Sequence, residues 1–232
     1  MASQLHAIEA DFIVIGAGSA GCAIAARLSE DPATRVLLLE AGGEDHNRWI
    51  HIPLGFGKIF ADPSVNWCYE TEPDPGAGDR RVYWPRGKVL GGSSSINGMV
   101  YIRGQAEDFD HWRQLGNTGW SFDDVLPYFK RAEHQTRGAD EFHGTDGPLC
   151  VSDVPDHHPI CEAFIEAAVA LGFPRNDDFN GARQDGAGYH QTTTRNGRRC
   201  STAVGYLRPA IDRKSTRLNS SHIPLSRMPS SA

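Results

Sequence analysis

The chain has no uninterrupted apolar stretch of about 18 residues, the least a membrane-spanning helix needs, so none of it reads as a span. Its first residues, MASQLHAIEAD, carry acids and no apolar h-region, which argues against a secretory signal. An excess of basic charge is missing too: 23 Lys and Arg stand against 29 Asp and Glu, a net charge of −6. That balance disfavours a phosphate-neutralising surface, and with it nucleic acid as a partner. The 5 cysteines (Cys22, Cys68, Cys150, Cys161 and Cys200) are odd in number, scattered, and form no C-x-x-C pair. They suit buried thiols in a reducing compartment better than a disulfide framework or a zinc site, and no metal is expected. These absences describe a cytoplasmic protein, with peripheral attachment to a membrane left open.

What the chain does have is core-forming length and glycine. Its 232 residues are enough to bury a substantial core, and 39% hydrophobic with 22% charged residues is an ordinary globular balance. The 25 glycines matter by position. Phe12-Ile13-Val14-Ile15 is a short apolar, β-branched run that reads as a buried parallel strand. It leads directly into Gly16-Ala17-Gly18-Ser19-Ala20-Gly21, then into an Ala-rich helix from Cys22 to Leu28. Asp31-Pro32 ends that helix, and Val36 to Leu39 forms a second buried strand, which completes a βαβ unit with a right-handed crossover. Gly16 permits the tight turn, Gly18 lets the backbone approach a pyrophosphate, and Gly21 lets the helix pack close to the strand. Glu40 closes the next strand about 20 residues on, placed to accept from ribose hydroxyls and to repel a 2′-phosphate, which disfavours NADP. This unit alone leaves NAD and FAD both open.

From Glu44 to Gly104 the chain is irregular and rich in Gly and Pro, apart from Val65, Trp67 and Tyr69, which alternate with polar neighbours as on a half-buried strand. Ser121 is placed to cap a helix through Arg131, with Val125, Leu126 and Phe129 inward. A second amphipathic helix starts near Pro159, sets Ile160, Phe164, Ala167, Ala168 and Leu171 on one face, and stops at Gly172. A second glycine-rich segment, Arg86-Gly87-Lys88-Val89-Leu90-Gly91-Gly92-Ser93-Ser94-Ser95-Ile96-Asn97-Gly98-Met99-Val100, can wrap closely around a flat, phosphate-bearing ligand. It is not a P-loop, since no G-K-[ST] follows at the required spacing. Val89, Leu90, Ile96, Met99 and Val100 mark it as buried rather than a surface loop.

Through Asp110, this segment resembles the first diagnostic motif of the glucose–methanol–choline (GMC) oxidoreductases, and IVIGAGSAGCAIAARLSEDP…VLLLEAGG, NWCYETEPDP, FHGTDGPL and GRRCSTAVGYLRP resemble that family too. The resemblance covers about Asp11 to Ala210 and is strongest to its choline dehydrogenase and bacterial alcohol dehydrogenase branch. It implies an α/β fold: a Rossmann-like FAD-binding domain, incomplete here, with the beginning of an α+β substrate domain. The expected division is 1–155 for the FAD-binding segments, 156–212 for the start of the substrate region, and 213–232 as a non-native tail. That tail, RKSTRLNSSHIPLSRMPSSA, resembles translated sequencing-adapter read-through.

By matching position, the resemblance puts Gly16, Gly18, Ser19 and Gly21 on the pyrophosphate and Glu40 on the adenosine ribose, with Ala41 beside it among the cofactor-binding residues. Arg86, Gly87, Leu90, Gly91, Gly92 and Ser93 lie along the cofactor, and Asn97, Gly98, Met99 and Val100 approach the isoalloxazine. Covalently flavinylated relatives carry a histidine just before that asparagine; Ile96 stands here, so non-covalent FAD is expected. The implied reaction is oxidation of a small alcohol to an aldehyde by hydride transfer to flavin N5. Electrons then pass to a quinone or another carrier in preference to oxygen. The family's catalytic histidine belongs to a region beyond Ala232, so no catalytic residue is assigned; His143, His157 and His158 are read as structural. The alternatives are an NAD-dependent dehydrogenase and a GMC-fold lyase that keeps its flavin for structure.

Overall fold

The computed structural model describes residues 9–211, so the tail from Arg213 onward lies outside it. The chain forms two compact units, one of residues up to Gly98 together with those from Arg199, the other of Met99–Arg198. The boundary expected at residue 155 falls inside the second unit.

In the first unit, β1 (Phe12–Ile15), α1 (Ser19–Leu28) and β2 (Val36–Leu39) form the βαβ unit read from the sequence. β1 and β2 are parallel, with Phe12 opposite Val36 and Ile15 opposite Leu39. The small side chains of Cys22, Ala25 and Ala26 are buried, which lets α1 lie close to the sheet. Cys22 and Ala25 join Ala17, Val36, Leu38, Leu90, Ala203 and Leu207 in one core cluster, so the second glycine segment and the returning chain both pack on the βαβ unit. Burying each Val or Leu there contributes about 1.5–3 kcal/mol. β1 departs from expectation. It was read as buried, yet Ile13 is 61% and Ile15 77% exposed. β2 takes one edge of β1, and among the described residues no strand pairs with the other.

Two short helices follow, α2 (Arg48–His51) and α3 (Phe56–Ile59), then the antiparallel pair β3 (Tyr69–Glu70) and β4 (Tyr83–Trp84). Ile50, Ile59, Val65, Val89 and Ile96 form a second core cluster beneath them. The strand expected through Val65, Trp67 and Tyr69 forms only at its end, because Cys68 adopts a left-handed backbone (φ 52°) that no continuous strand contains. Val65 is buried, but Trp67 and Tyr69 are exposed.

The second unit runs β5 (Val100–Tyr101), α4 (Ala106–Gln114), α5 (Phe122–Ala132), β6 (Glu133–Gln135), β7 (Leu149–Val151), α6 (Pro159–Ala170) and β8 (Gln191–Thr192). β5 pairs antiparallel with β8, and β6 parallel with β7. Ser121 caps α5 as read, through a reciprocal capping box with Asp124. α6 has the expected limits and ends at Gly172, in the left-handed region at φ 95°, but not the expected inward face. Ile160, Phe164 and Leu171 are exposed, and Ile165 is the buried residue. α6 is apolar on most sides, so its periodicity does not single out a face.

Beside the buried Phe109, Cys150, Val151 and Ile165, this unit holds a buried polar network. Arg103 donates to Glu133 at 2.7 Å, and His143 bridges Glu133 (3.0 Å) and Asp178 (2.9 Å). Gln135 donates to Gln191 at 2.8 Å. All but Asp178 are buried.

Candidate cofactor site

The two glycine-rich segments meet in the first unit. Gly16 leaves β1 at φ 92°, and its N–H donates to Leu39 O at 2.7 Å. Gly21 faces the Gly16 carbonyl so closely that a Cβ would lie 1.9 Å from its oxygen, and only glycine permits that helix-to-turn approach. α1 then starts with no side-chain cap and no acid in its first turn. Its first N–H groups are therefore available to an anion. Around Gly16 and Gly18 a Cβ would meet nothing within 4 Å, so no side chain packs over the turn at those two positions.

The second segment closes on the first. Gly91 N–H donates to Ala17 O at 2.7 Å, and Leu90 N–H to Gly43 O at 2.9 Å. At Gly92 (φ 53°) a Cβ would stand 2.6 Å from the Cα of Gly18, so the two backbones touch with no room for a side chain. Gly87 N–H donates to Ser93 Oγ at 3.1 Å, which folds the segment on itself. Glu40 ties both turns together: its carboxylate accepts from Ala17 N–H (2.7 Å) and Gly42 N–H (2.8 Å). Each carboxylate oxygen has a second lone pair, which a ribose hydroxyl can use. Ala41, beside it, is half-buried.

The other expected contacts follow in order along the segment. Leu90, Gly91 and Gly92 are buried, Ser93 is half-buried, and Asn97 and Gly98 are exposed. The Asn97 carboxamide oxygen accepts from Arg199 Nη1 at 2.8 Å. Met99 is buried with a left-handed backbone (φ 65°), a costly conformation for a non-glycine residue that tends to occur at functional sites. Met99 and Val100 fall in the second unit, and Val100 is 52% exposed rather than buried as read. Arg86 is an outward residue in this structure. Its guanidinium donates to Pro85 O at 2.7 Å and lies 4.9 Å over the Trp84 ring. Ile96 is buried in the second core cluster.

Three supporting residues were not read from the sequence. Asn66 accepts from Arg86 N–H (2.9 Å) and Cys68 N–H (3.0 Å) and donates to Phe60 O (2.7 Å), which fixes the entry to the segment. Thr202 lies 2.9 Å from Ser94 Oγ, and Arg199 holds Asn97. Asn66 opens NWCYETEPDP and Arg199 and Thr202 lie in GRRCSTAVGYLRP, two segments that resemble the family, but nothing in those strings gives any of the three a role.

The histidines sit elsewhere. His143 belongs to the buried polar network, and its neighbours Asp178 and then Glu133 raise its pKa to about 9. His157 stacks on Tyr189 at 3.8 Å, and His158 caps α6. Cys22, Cys150 and Cys200 are buried, and burial pushes the Cys22 thiol up to about 11. Among the described residues no cluster could hold a metal, and no helix is long and apolar enough to cross a membrane.

An uncapped helix start after an open glycine turn, a second backbone against that turn and a carboxylate at the strand end fit a dinucleotide carrying a pyrophosphate. Comparison with known proteins agrees. Residues 10–223 match the GMC oxidoreductase N-terminal family model. The chain is 51% identical over 211 residues to an oxygen-dependent choline dehydrogenase of Sinorhizobium fredii, covering 91% of this chain and 38% of that protein. It is 48% identical to the mitochondrial choline dehydrogenase of Mus musculus, over 90% of this chain and 36% of that protein. Among solved structures, pyridoxine 4-oxidase from Mesorbium loti superposes with a TM-score of 0.86 at 37% identity, over 90% of this chain and 42% of that one. The chain thus spans less than half the length of the relatives it matches.

Proposed function

Since the chain belongs to the GMC oxidoreductase family, we propose that it is the FAD-binding part of an enzyme that oxidises a small primary alcohol to an aldehyde. The observation that carries this reading is the contact of Gly92 with Gly18, which makes one cradle from two glycine-rich segments far apart in sequence. A nucleotide held by the βαβ unit alone would not need the second segment.

In this reading the N–H groups at the start of α1 hold the pyrophosphate, favoured by the helix dipole by about 0.3–1 kcal/mol. Glu40 accepts from the adenosine ribose, and Ala17 and Gly42 keep its carboxylate in place. Gly91, Gly92 and Ser93 line the cofactor, and Asn97 to Val100 stand at the ring. Arg86 is proposed beside them, with its guanidinium over Trp84. FAD bound there supplies the hydride acceptor, flavin N5. Ile96 has no atom able to form a covalent flavin link and is buried among Ile50, Ile59, Val65 and Val89, which supports non-covalent binding. No residue of this chain is assigned the proton-transfer step.

The substrate is proposed to be choline or an alcohol of its size, on the strength of the relatives' names. Residues 156–212 are proposed to open the substrate region. A quinone or similar carrier is the proposed electron acceptor; the name of the Sinorhizobium relative makes oxygen the rival to measure beside it. We place the protein in the cytoplasm, with any membrane attachment peripheral. The test is anaerobic addition of choline, an aliphatic alcohol and an aromatic alcohol to the FAD-loaded full-length protein. Bleaching of the flavin band by one of them supports the assignment, and a flavin that none of them reduces argues for a lyase-like role.

A further inference from the structure

Arg199 is a buried cation without an ion-pair partner. It is 2% exposed, and among the described residues no carboxylate pairs with it. Its Nε donates to Ile50 O at 2.7 Å, and its Nη1 to Ser94 O at 3.2 Å and Asn97 Oδ1 at 2.8 Å, whereas Nη2 is buried with no partner. Three neutral oxygens do not offset the desolvation of a guanidinium, and the orphan N–H group adds to the cost. Burial lowers its pKa to about 10, so it remains charged at neutral pH. A core built only for stability would carry an apolar residue here, or pair the charge. Its Nη1 partners, Ser94 and Asn97, lie in the second glycine segment, at the end proposed to carry the flavin ring.

We infer that Arg199 is a positioning residue of the flavin site, clamping Asn97 and the Ser94 carbonyl and holding a fixed positive charge at the ring end of the cradle. The inference rests on the FAD reading above. Two-electron reduction adds negative charge to a flavin ring, and a buried cation nearby stabilises that charge. Arg199 therefore raises the flavin's reduction potential, a property that a purely structural arginine would not control.

The experiment is spectroelectrochemical titration of the FAD-loaded protein as wild type, Arg199→Met and Arg199→Lys, with flavin content measured in each. Arg199→Met is expected to lose at least about tenfold of its preference for reduced flavin, a fall of about 30 mV for a two-electron couple. Arg199→Lys keeps the charge but not the fork, so a shifted flavin absorption band with a smaller fall is expected. If Arg199→Met does not fold, Arg199→Lys decides the matter by its spectrum and potential. Either variant binding FAD with wild-type spectrum and potential overturns the inference and leaves the cofactor reading standing. A wild-type protein that takes up no FAD overturns both.

Discussion

Gly92 shows how a single missing side chain can define a site. A Cβ at this position would stand 2.6 Å from Gly18 Cα, a backbone atom that cannot swing aside. Gly92→Ala therefore forces the two segments apart, at an overpacking cost of about 1–3 kcal/mol. Each 1.4 kcal/mol is tenfold in affinity, so FAD affinity should fall roughly 5- to 150-fold in a fluorescence titration. His143 sets a second residue-scale effect. Its folded pKa of about 9 lies above the ordinary 6.5 because Asp178 and Glu133 flank it. The stabilisation is complete below about pH 6.5 and is lost as pH rises through 9. Urea midpoints should fall across that window, and His143→Gln should flatten the dependence. Glu133→Gln strands Arg103 and His143 in the interior and should cost about 3–5 kcal/mol. Of these residues, Gly92 was legible in the sequence as part of a glycine pattern. Arg103 and Glu133 were not, since they lie 30 positions apart and only the fold brings them together.

At the scale of elements, legibility followed local chemistry. α5 was readable because Ser121 and Asp124 form their capping box within four residues of chain. Ser121→Ala should cost about 1 kcal/mol in thermal or urea unfolding. The limits of α6 were equally readable from Pro159 and Gly172, but its buried face was not, because apolar residues surround most of the helix and tertiary packing chose Ile165. The strand through Val65 and Tyr69 failed at Cys68, where alternation of apolar residues gives no warning of a left-handed backbone. β1 formed as read, but its burial depends on neighbours that a local pattern cannot supply.

For the whole molecule, the exposed side of β1 is the main liability. Phe12, Ile13 and Ile15 are 48, 61 and 77% exposed, and the strand has an edge that no described strand pairs. Such an edge invites pairing with another chain. The 232-residue chain by itself should aggregate and bind FAD poorly. Ile13→Lys should reduce light scattering on warming without lowering the unfolding free energy by more than about 0.5 kcal/mol. A stable, flavin-loaded 232-residue protein would contradict this account of the sheet.

In the proposed reading two glycine segments build one non-covalent FAD cradle. Its most direct test is to purify the full-length protein, measure its visible flavin spectrum, then denature it and separate polypeptide from supernatant. Bound flavin is expected, with all of it released as FAD into the supernatant. A colourless protein that instead takes up NAD would contradict the cradle, and flavin retained on the denatured polypeptide would contradict the reading of Ile96.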